Sequence, residues 1–185
     1  MSRRAASNRK RIIDAAYQRF YRHGFSRVTM DDIAEAAGVA KRTLYAHFDS
    51  KDVLLASVLE QHHALAMERI EKWGRQLSSN TPEAIASLFA ELADWGTKPR
   101  WSGAGFTRIV MELADLPGHP ALKIAKQHKA AVEAHLSAAL GSERAGAELA
   151  LLLEGAMALM LVHKDRRYAF VAAQAAASLV CKREP

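Results

Sequence analysis

Apolar residues recur along most of this chain at the three- to four-residue spacing of a helix with one buried face. The clearest short example is Met30, Ile33, Ala34 and Ala37, which fall at i, i+3, i+4 and i+7. No run of alternating β-branched residues has the pattern of a strand. The pattern therefore predicts an all-α protein of about nine helices.

Residues 29–51 are predicted to contain two short helices joined by a tight turn. Thr29 is a good N-cap, and Asp32 three residues later supplies the carboxylate of a capping box. Gly38 stands where a left-handed residue would end the first helix. A helix over residues 9–23 is predicted in front, and it would supply the core that two short helices cannot build alone.

The second short helix is predicted from Lys41 to about Phe48. Ala40, Leu44 and Phe48 share one face of it. The other positions carry basic and hydrogen-bonding side chains, namely Lys41, Arg42, Thr43, Tyr45 and His47. This arrangement favours a DNA-reading helix-turn-helix, in which the second helix enters the major groove. An ordinary helical hairpin with a solvated basic face is the alternative.

The positive charge of the chain is concentrated at its start. The net charge is +6, and residues 1–51 hold eleven Lys and Arg against five Asp and Glu, whereas residues 52–185 hold fifteen of each kind. Such a distribution is typical of a polyanion-binding module attached to a neutral body. We therefore predict a DNA-binding domain over residues 1–51, with residues 1–8 as a flexible basic tail, and an effector-binding and dimerisation domain over residues 52–185.

Neither a metal site nor a catalytic site is predicted. The adjacent His62 and His63 would point about 100° apart on a helix, and no metalloprotease, nucleophile-elbow or phosphate-loop motif is present. The single cysteine, Cys181, fits a reducing cytoplasm. No apolar run approaches the length of a membrane span without charges, so no contact with a membrane is expected. We expect no cofactor and no enzyme activity.

The last two predicted helices, over residues 143–163 and 166–181, are unusually apolar. The second of them has almost no polar face, and such a helix is costly to expose on a monomer. We predict that both helices pair with their counterparts in a second subunit as a four-helix bundle. A helix buried inside a monomeric core is the alternative.

Aromatic and methionine side chains of the predicted C-terminal domain are candidates for an effector pocket. Pockets between helices are mostly apolar, and methionine makes their walls adaptable. Three of the candidates flank a loop rich in glycine and proline that would suit a lid. The candidates are Trp73, Phe89, Trp95, Trp101, Phe106, Met111, Met157 and Met160.

One run of residues also carries a family resemblance. It consists of Thr29, Ile33, Ala34, Ala37, Gly38, Val39, Thr43, Leu44, Tyr45, His47, Phe48, Lys51 and Leu54. This run resembles the signature of the tetracycline-repressor (TetR) family of transcriptional regulators. The resemblance is strong only over about residues 9–55. It implies a homodimeric, all-helical regulator with an N-terminal DNA-reading domain and a C-terminal domain that binds a small effector.

The resemblance also implies roles for single residues. Thr29 and Lys51 would contact DNA phosphates, and Thr43, Tyr45 and His47 would contact the DNA backbone or bases. Two positions depart from the family pattern. Ala40 stands where a capping serine is usual. Arg42 stands where glycine is usual, and it could read guanine through a bidentate contact.

These observations together predict a sequence-specific repressor that a small-molecule effector releases from a palindromic operator. The effector would act by shifting a long helix predicted from Lys51 to Trp73, and this would change the spacing of the two recognition helices. The alternative is an all-helical carrier or adaptor of small molecules with an incidental basic face.

Overall fold

The computed structural model describes residues 3–99, 101 and 103–180. These residues form nine helices and no strand, which confirms the predicted all-α class. The helices are α1 (Arg3–His23), α2 (Met30–Ala37), α3 (Lys41–Tyr45), α4 (Lys51–Leu77), α5 (Pro82–Gly96), α6 (Gly105–Glu112), α7 (Pro120–Leu140), α8 (Glu143–His163) and α9 (Arg167–Val180).

The helices divide between two compact units. Unit 1 comprises Met1–Ala64 and Gly105–Gln127, and unit 2 comprises Leu65–Ala104 and His128–Pro185. Helices α4 and α7 each contribute residues to both units. Unit 1 is larger than the DNA-binding domain predicted over residues 1–51, because it also takes in the first part of α4, all of α6 and the start of α7. The boundary of the DNA-binding module at residue 51 stays a prediction.

Helix α1 begins earlier than the sequence pattern indicates. Residues 1–8 were predicted to be a flexible basic tail, and residues 3–8 of that stretch are helical. No proline or glycine interrupts this stretch, and alanine and arginine both favour helix. The apolar stripe that marked the helix in the sequence begins only at the buried Ile12 and Ile13, so periodicity alone could not detect the earlier turns.

Helix α2 has the predicted ends and the predicted buried face. All four residues of its apolar stripe are buried. Thr29 and Asp32 form a reciprocal capping box at its start, and Gly38 ends it in the left-handed conformation with φ of 60°. Arg11 of α1 then donates from Nη2 to the carbonyl of Ala37 at 2.6 Å and to that of Gly38 at 3.1 Å. A side chain of α1 therefore satisfies carbonyl groups that the end of α2 leaves open.

Helix α3 is shorter than predicted, but two of its three predicted buried residues are buried. It ends at Tyr45, although the Phe48 amide still donates to the Leu44 carbonyl at 3.0 Å. Leu44 and Phe48 are buried. Ala40 is exposed rather than part of the buried face, and as N-cap it offers no side-chain hydrogen bond. The buried stripe of α3 therefore consists of Leu44 and Phe48.

Helix α4 runs four residues beyond the predicted end at Trp73. Gly74, which the sequence suggested as a terminator, lies inside the helix and is buried. A Cβ atom at this position would stand 3.2 Å from Cδ2 of His135 on α7. Gly74 therefore serves the close approach of two helices, and α4 ends only at Leu77.

The core of unit 2 is built on helix α5, which packs against α9 and α8. Pro82 at the first position of α5 and Thr81 as its N-cap are as predicted. Ile85, Leu88 and Phe89 of this helix are fully buried. Around them lie the alanine-rich faces of α8 and α9, whose small side chains let the helix axes approach closely.

A carboxylate on α5 gathers three donors from α4. Glu91 accepts hydrogen bonds from Lys72 Nζ at 2.9 Å, Trp73 Nε1 at 3.2 Å and Gln76 Nε2 at 3.3 Å. The bond from Lys72 is the main cause that lowers the pKa of Glu91 below the ordinary glutamate value of 4.5, while partial burial opposes it. The contacts from α4 therefore favour the ionised form of Glu91.

The stabilisation by Glu91 should depend on pH. Because the folded state lowers the pKa, the contribution is fully present above pH 4.5 and is lost as the pH falls through the folded pKa. We expect Glu91→Gln to lower the urea midpoint at pH 7 and to differ progressively less from the wild type below about pH 4.5. An equal difference at pH 7 and pH 3 would contradict this role.

Helix α8 is the one helix among the described residues whose length and hydropathy would suffice to cross a membrane. Composition of this kind is also found in the core helix of a bundle, and Ala156 and Met160 of α8 are buried against neighbouring helices of unit 2. The absence of membrane contact, expected from the sequence, therefore stays a prediction.

Candidate nucleic-acid interface

Two buried side chains, Leu44 and Phe48, fix α3 and the turn after it to the rest of the helix-turn-helix. Leu44 and Phe48 hold it against the core of unit 1, and the guanidinium of Arg9 on α1 lies 5.2 Å from the Phe48 ring centroid. The predicted DNA-contacting side chains of this segment remain accessible. Lys41, Arg42 and Tyr45 are exposed, and Thr43 and His47 are half-buried. The structure therefore leaves all five at least partly accessible, four of them on α3 and His47 in the turn that follows it.

Lys41 pairs with the preceding helix. Its Nζ lies 2.8 Å from Oδ1 of Asp31 on α2, and both side chains are largely exposed. The hydrogen bond with Asp31 raises the pKa of Lys41 above its ordinary value. An exposed pair of this kind contributes little to stability, so Lys41 can exchange Asp31 for a phosphate at low cost.

Arg42 has no such partner. Within the described part of the chain its guanidinium makes no hydrogen bond and no ion pair, and the residue is exposed. Arginine presents donors in a planar fork that matches the acceptors of a guanine edge or a phosphate. On α3 it is therefore the cation that is free to meet a new acceptor.

Thr29 is committed to its helix cap. Its hydroxyl donates to Oδ2 of Asp32 at 2.7 Å and accepts the Asp32 amide at 3.1 Å, while its own amide donates to Oδ2 at 2.8 Å. The bonds from the Thr29 amide and hydroxyl lower the pKa of the Asp32 carboxyl. A DNA phosphate at Thr29 would have to compete with Asp32 for the hydroxyl proton.

Lys51 is also occupied, in a way that the sequence did not indicate. Its Nζ donates to the carbonyls of Phe25 and Val28, at 3.1 Å each, and lies 4.3 Å from the Phe25 ring centroid. An ammonium group has three protons, so one donor remains. Lys51 thus holds the turn before α2 against the start of α4, and any phosphate contact would use the remaining proton.

Helix α6 fastens the other end of the same turn. Glu112 accepts the amide of Phe25 at 2.7 Å and pairs with Arg108 Nε at 3.0 Å, and Arg108 Nη1 donates to the carbonyl of Tyr21 at 2.9 Å. The i, i+4 spacing of Arg108 and Glu112 was visible in the sequence. The contacts of these two residues with Phe25 and Tyr21, each 87 residues earlier in the chain, could not be seen in the sequence.

We expect Glu112→Ala to destabilise unit 1. The change leaves the Phe25 amide and the Arg108 guanidinium without their acceptor, which costs on the order of 1–3 kcal/mol when the groups are part-buried. Urea unfolding followed by circular dichroism measures the loss. Glu112→Gln should lose less, because its amide oxygen can still accept from Phe25, and equal losses in the two variants would show that this bond does not matter.

The predicted effector residues divide between the two units. Phe106 is buried in the core of unit 1, and Met111 on α6 is 73% exposed. The remaining six lie in unit 2: Trp73, Phe89, Trp95, Trp101, Met157 and Met160.

Within unit 2, two of the candidate indoles meet. The rings of Trp95 and Trp101 stand edge to face at 5.9 Å, and the Arg69 guanidinium lies 4.5 Å from the Trp95 centroid. Nε1 of Trp101 is buried without an acceptor in the described structure. An unpaired buried donor is costly. A ligand carbonyl or hydroxyl could supply the missing acceptor.

The expected absence of a metal site stays a prediction. Among residues 3–99, 101 and 103–180, no three His, Cys, Asp or Glu side chains come together in a way that could hold a metal ion. Cys181, which the sequence placed on the last helix, lies outside the described residues.

Helix α8 carries an unpartnered apolar stripe. Leu151, Gly155, Leu159 and Val162 are spaced along one face and are exposed, Leu151 to 74% and Val162 to 72%. A Cβ atom at Gly155 would meet nothing within 4 Å. On α9 the neighbouring exposed apolar residues are Phe170, Val171 and Leu179. An exposed apolar face of a helix is typical of a protein interface.

Comparisons with known proteins agree with this description. Residues 12–58 match the family model described as bacterial regulatory proteins, tetR family. The chain is 42% identical over 59 residues to the HTH-type transcriptional regulator TtgR of Pseudomonas putida, covering 32% of this chain and 28% of that protein. It is 34% identical over 101 residues to the HTH-type transcriptional repressor SCO4008 of Streptomyces coelicolor, covering 49% of this chain and 53% of that protein.

Similarity to solved structures extends over nearly the whole chain. The TetR-family transcriptional regulator SCO4454 of Streptomyces coelicolor superposes with a TM-score of 0.82 at 24% identity, covering 96% of this chain and 97% of that one. The multidrug binding protein EbrR, in complex with ethidium, superposes with a TM-score of 0.68 at 23% identity, covering 94% and 98%. The sequence matches span about a quarter to a half of the relatives' length, whereas the fold matches throughout.

Proposed function

From the premise that this chain belongs to the TetR family of transcriptional regulators, we propose that it is a dimeric, sequence-specific DNA-binding repressor controlled by a small molecule. The observation that carries the proposal is Arg42, which is exposed and has no partner among the described residues, on a recognition helix that is anchored by Leu44 and Phe48. The charge excess over residues 1–51 supplies sequence-independent attraction to DNA.

Each predicted DNA contact has a separate task in this proposal. Arg42 reads a base edge, and Thr43, Tyr45 and His47 contact the backbone or bases beside it. Lys41 leaves Asp31 for a phosphate. Thr29 and Lys51 sit at the starts of α2 and α4, where helix N-termini favour phosphate, and Lys51 brings its one remaining proton.

We assign dimerisation to α8 and α9. The exposed stripe of α8, with Gly155 at its middle, would let two symmetry-related helices approach closely, and residues of α9 would complete a four-helix bundle. A twofold dimer reads two half-sites about 34 Å apart, so the operator is a palindrome.

We assign effector binding to unit 2, with Trp101 as the polar anchor and Trp95, Met157 and Met160 as apolar wall. The complex of EbrR with ethidium illustrates that this fold can hold a small molecule. Helix α4 runs without a break from Lys51, in the DNA-binding unit, to Leu77, so it would carry a displacement from unit 2 toward α3. The effector's identity is open in this proposal.

The sign of regulation follows the repressor SCO4008 among the relatives. The relatives compared are regulators rather than enzymes, so we assign no catalytic activity, no cofactor and no metal, and a cytoplasmic location beside the DNA. The carrier or adaptor is the less favoured alternative, since it gives no role to the basic, accessible α3.

Selection of bound duplexes from a random DNA pool tests the proposal directly. We expect a palindromic sequence to be enriched, and we expect its affinity to fall steeply between about 50 and 200 mM salt, because several phosphate contacts release counterions. A carrier would enrich no sequence. Failure to retain any duplex at low salt would refute the proposal.

A further inference from the structure

A basic groove of about 720 Å³ lies within unit 1, between the end of α1, the turn before α2, and α6. Four arginines line it, and we call it the arginine groove after them: Arg19, Arg22, Arg27 and Arg108. His23 also lines the groove, and its only acidic residues are Asp32 and Glu112.

Both acids already have partners. The Asp32 carboxylate accepts two hydrogen bonds, from the amide and from the hydroxyl of Thr29, at the start of α2. Glu112 is held by the Phe25 amide and by Arg108. Asp32 also interacts electrostatically with Arg19 and His23. With four arginines against two carboxylates, the groove still keeps a positive excess.

Arg19, Arg22 and Arg27 make no hydrogen bond and no ion pair within the described part of the chain. A helix C-terminus attracts cations, which accounts for Arg22 and His23 in the last turn of α1. The same end of α1 also receives Arg108 of α6, which donates to the Tyr21 carbonyl. It does not account for Arg27, which lies in the turn before α2. Arginines from α1, from the turn and from α6 thus line one groove, and its positive excess favours an anion there.

We propose that the arginine groove binds a ligand that bears two or more phosphate groups. Each guanidinium can hold two phosphate oxygens through its planar fork. The volume is larger than one phosphate needs and lies in the range of small-molecule sites. Oligophosphate chemistry of this kind is available from a free nucleoside polyphosphate or from successive phosphates of a DNA strand.

Occupancy of the groove would act on the DNA-binding module. Val28 and Asp32, at the start of α2, share the groove with Arg108, and Arg108 holds the Tyr21 carbonyl. A bound oligophosphate would therefore fix the turn between α1 and α2. The inference does not rest on the proposed operator recognition, which uses α3.

Two triple variants test the groove. Arg19→Gln with Arg22→Gln and Arg27→Gln removes the three free guanidinium groups. The matched control, Arg75→Gln with Lys123→Gln and Lys126→Gln, removes the same charge from exposed residues that do not line the groove. Circular dichroism establishes that both variants are folded.

The first measurement is calorimetric titration of sodium tripolyphosphate at constant ionic strength, without DNA. Wild type and control should bind alike, and the groove variant should bind at least about tenfold more weakly, since three charge-assisted contacts are lost. This outcome identifies a free oligophosphate as the source of the ligand.

The second measurement is duplex binding as a function of salt. If tripolyphosphate does not bind, but the groove variant lowers the salt slope by about 2–3 more than the control does, the phosphates come from DNA. If the two triple variants behave alike in both measurements, the proposal is overturned. Retention of duplex binding by the wild type in that case would leave the proposed regulator function intact.

Discussion

Replacing Leu151 and Val162 on α8 by glutamate is expected to convert the dimer into monomers and to remove most operator binding. Both side chains are exposed on one face of α8, and in the proposed dimer both copies of each would be buried against the partner. Burying a carboxylate in such a bundle without a counter-ion is strongly unfavourable. Because a monomer holds only one half-site, operator affinity should fall by about 10²–10⁴-fold.

Analytical ultracentrifugation measures the association state, and gel-shift titration measures operator affinity. The matched control is Met111→Glu with Leu116→Glu, which adds the same charges at apolar residues of unit 1 that are exposed to 73% and 54%. The control should remain dimeric. A dimeric Leu151→Glu, Val162→Glu variant would place the subunit interface elsewhere, and a monomeric wild type would refute the dimer altogether.

Arg42→Ala is expected to erase discrimination at one base pair of each half-site. A bidentate contact between arginine and guanine contributes about 1–3 kcal/mol of discrimination. The loss should therefore be roughly tenfold to a hundredfold for the preferred operator, and much smaller for duplexes that already lack the preferred base. Because Arg42 has no partner within the described chain, its removal should leave the unfolding free energy unchanged.

Binding to the selected operator and to duplexes with each base pair substituted in turn measures this effect. Arg75→Ala, an exposed arginine of unit 2, is the charge-matched control and should alter neither quantity. Lys51→Ala provides a contrast: it should weaken binding to all sequences alike, and it should also lower stability, since Lys51 holds the carbonyls of Phe25 and Val28. If Arg42→Ala weakens every duplex equally, Arg42 contacts phosphate only.

Much of the helix-turn-helix could be predicted, because its determinants are close together in the chain. The capping box of Thr29 and Asp32 spans three residues, and the left-handed Gly38 directly follows the helix it ends. The apolar stripe of α2 repeats within two turns. The positions of α2, of the turn and of the start of α3 could therefore be predicted from the sequence. The accessibility of Arg42 follows from the burial of Leu44 and Phe48 on the other face of α3.

The partners of the charged residues depended on contacts between distant segments. Lys51 meets carbonyls 26 and 23 residues before it, and Glu112 meets an amide 87 residues before it. Gly74 lies inside α4 at a point where a Cβ atom would stand 3.2 Å from Cδ2 of His135 on another helix. No local sequence pattern could predict these contacts between residues that are far apart in the chain.

The sequence by itself determined the helices, their caps and the positive charge of the first 51 residues, because hydrogen bonding and apolar period act over three to seven positions. Only the tertiary structure decided which cations remain unpaired. Lys41 is paired with Asp31 and Lys51 with two carbonyls, whereas Arg42, Arg19, Arg22 and Arg27 have no hydrogen bond or ion pair in the part of the chain that the structure describes. A side chain's partner depends on which segments pack beside it, and that is a property of the folded chain as a whole.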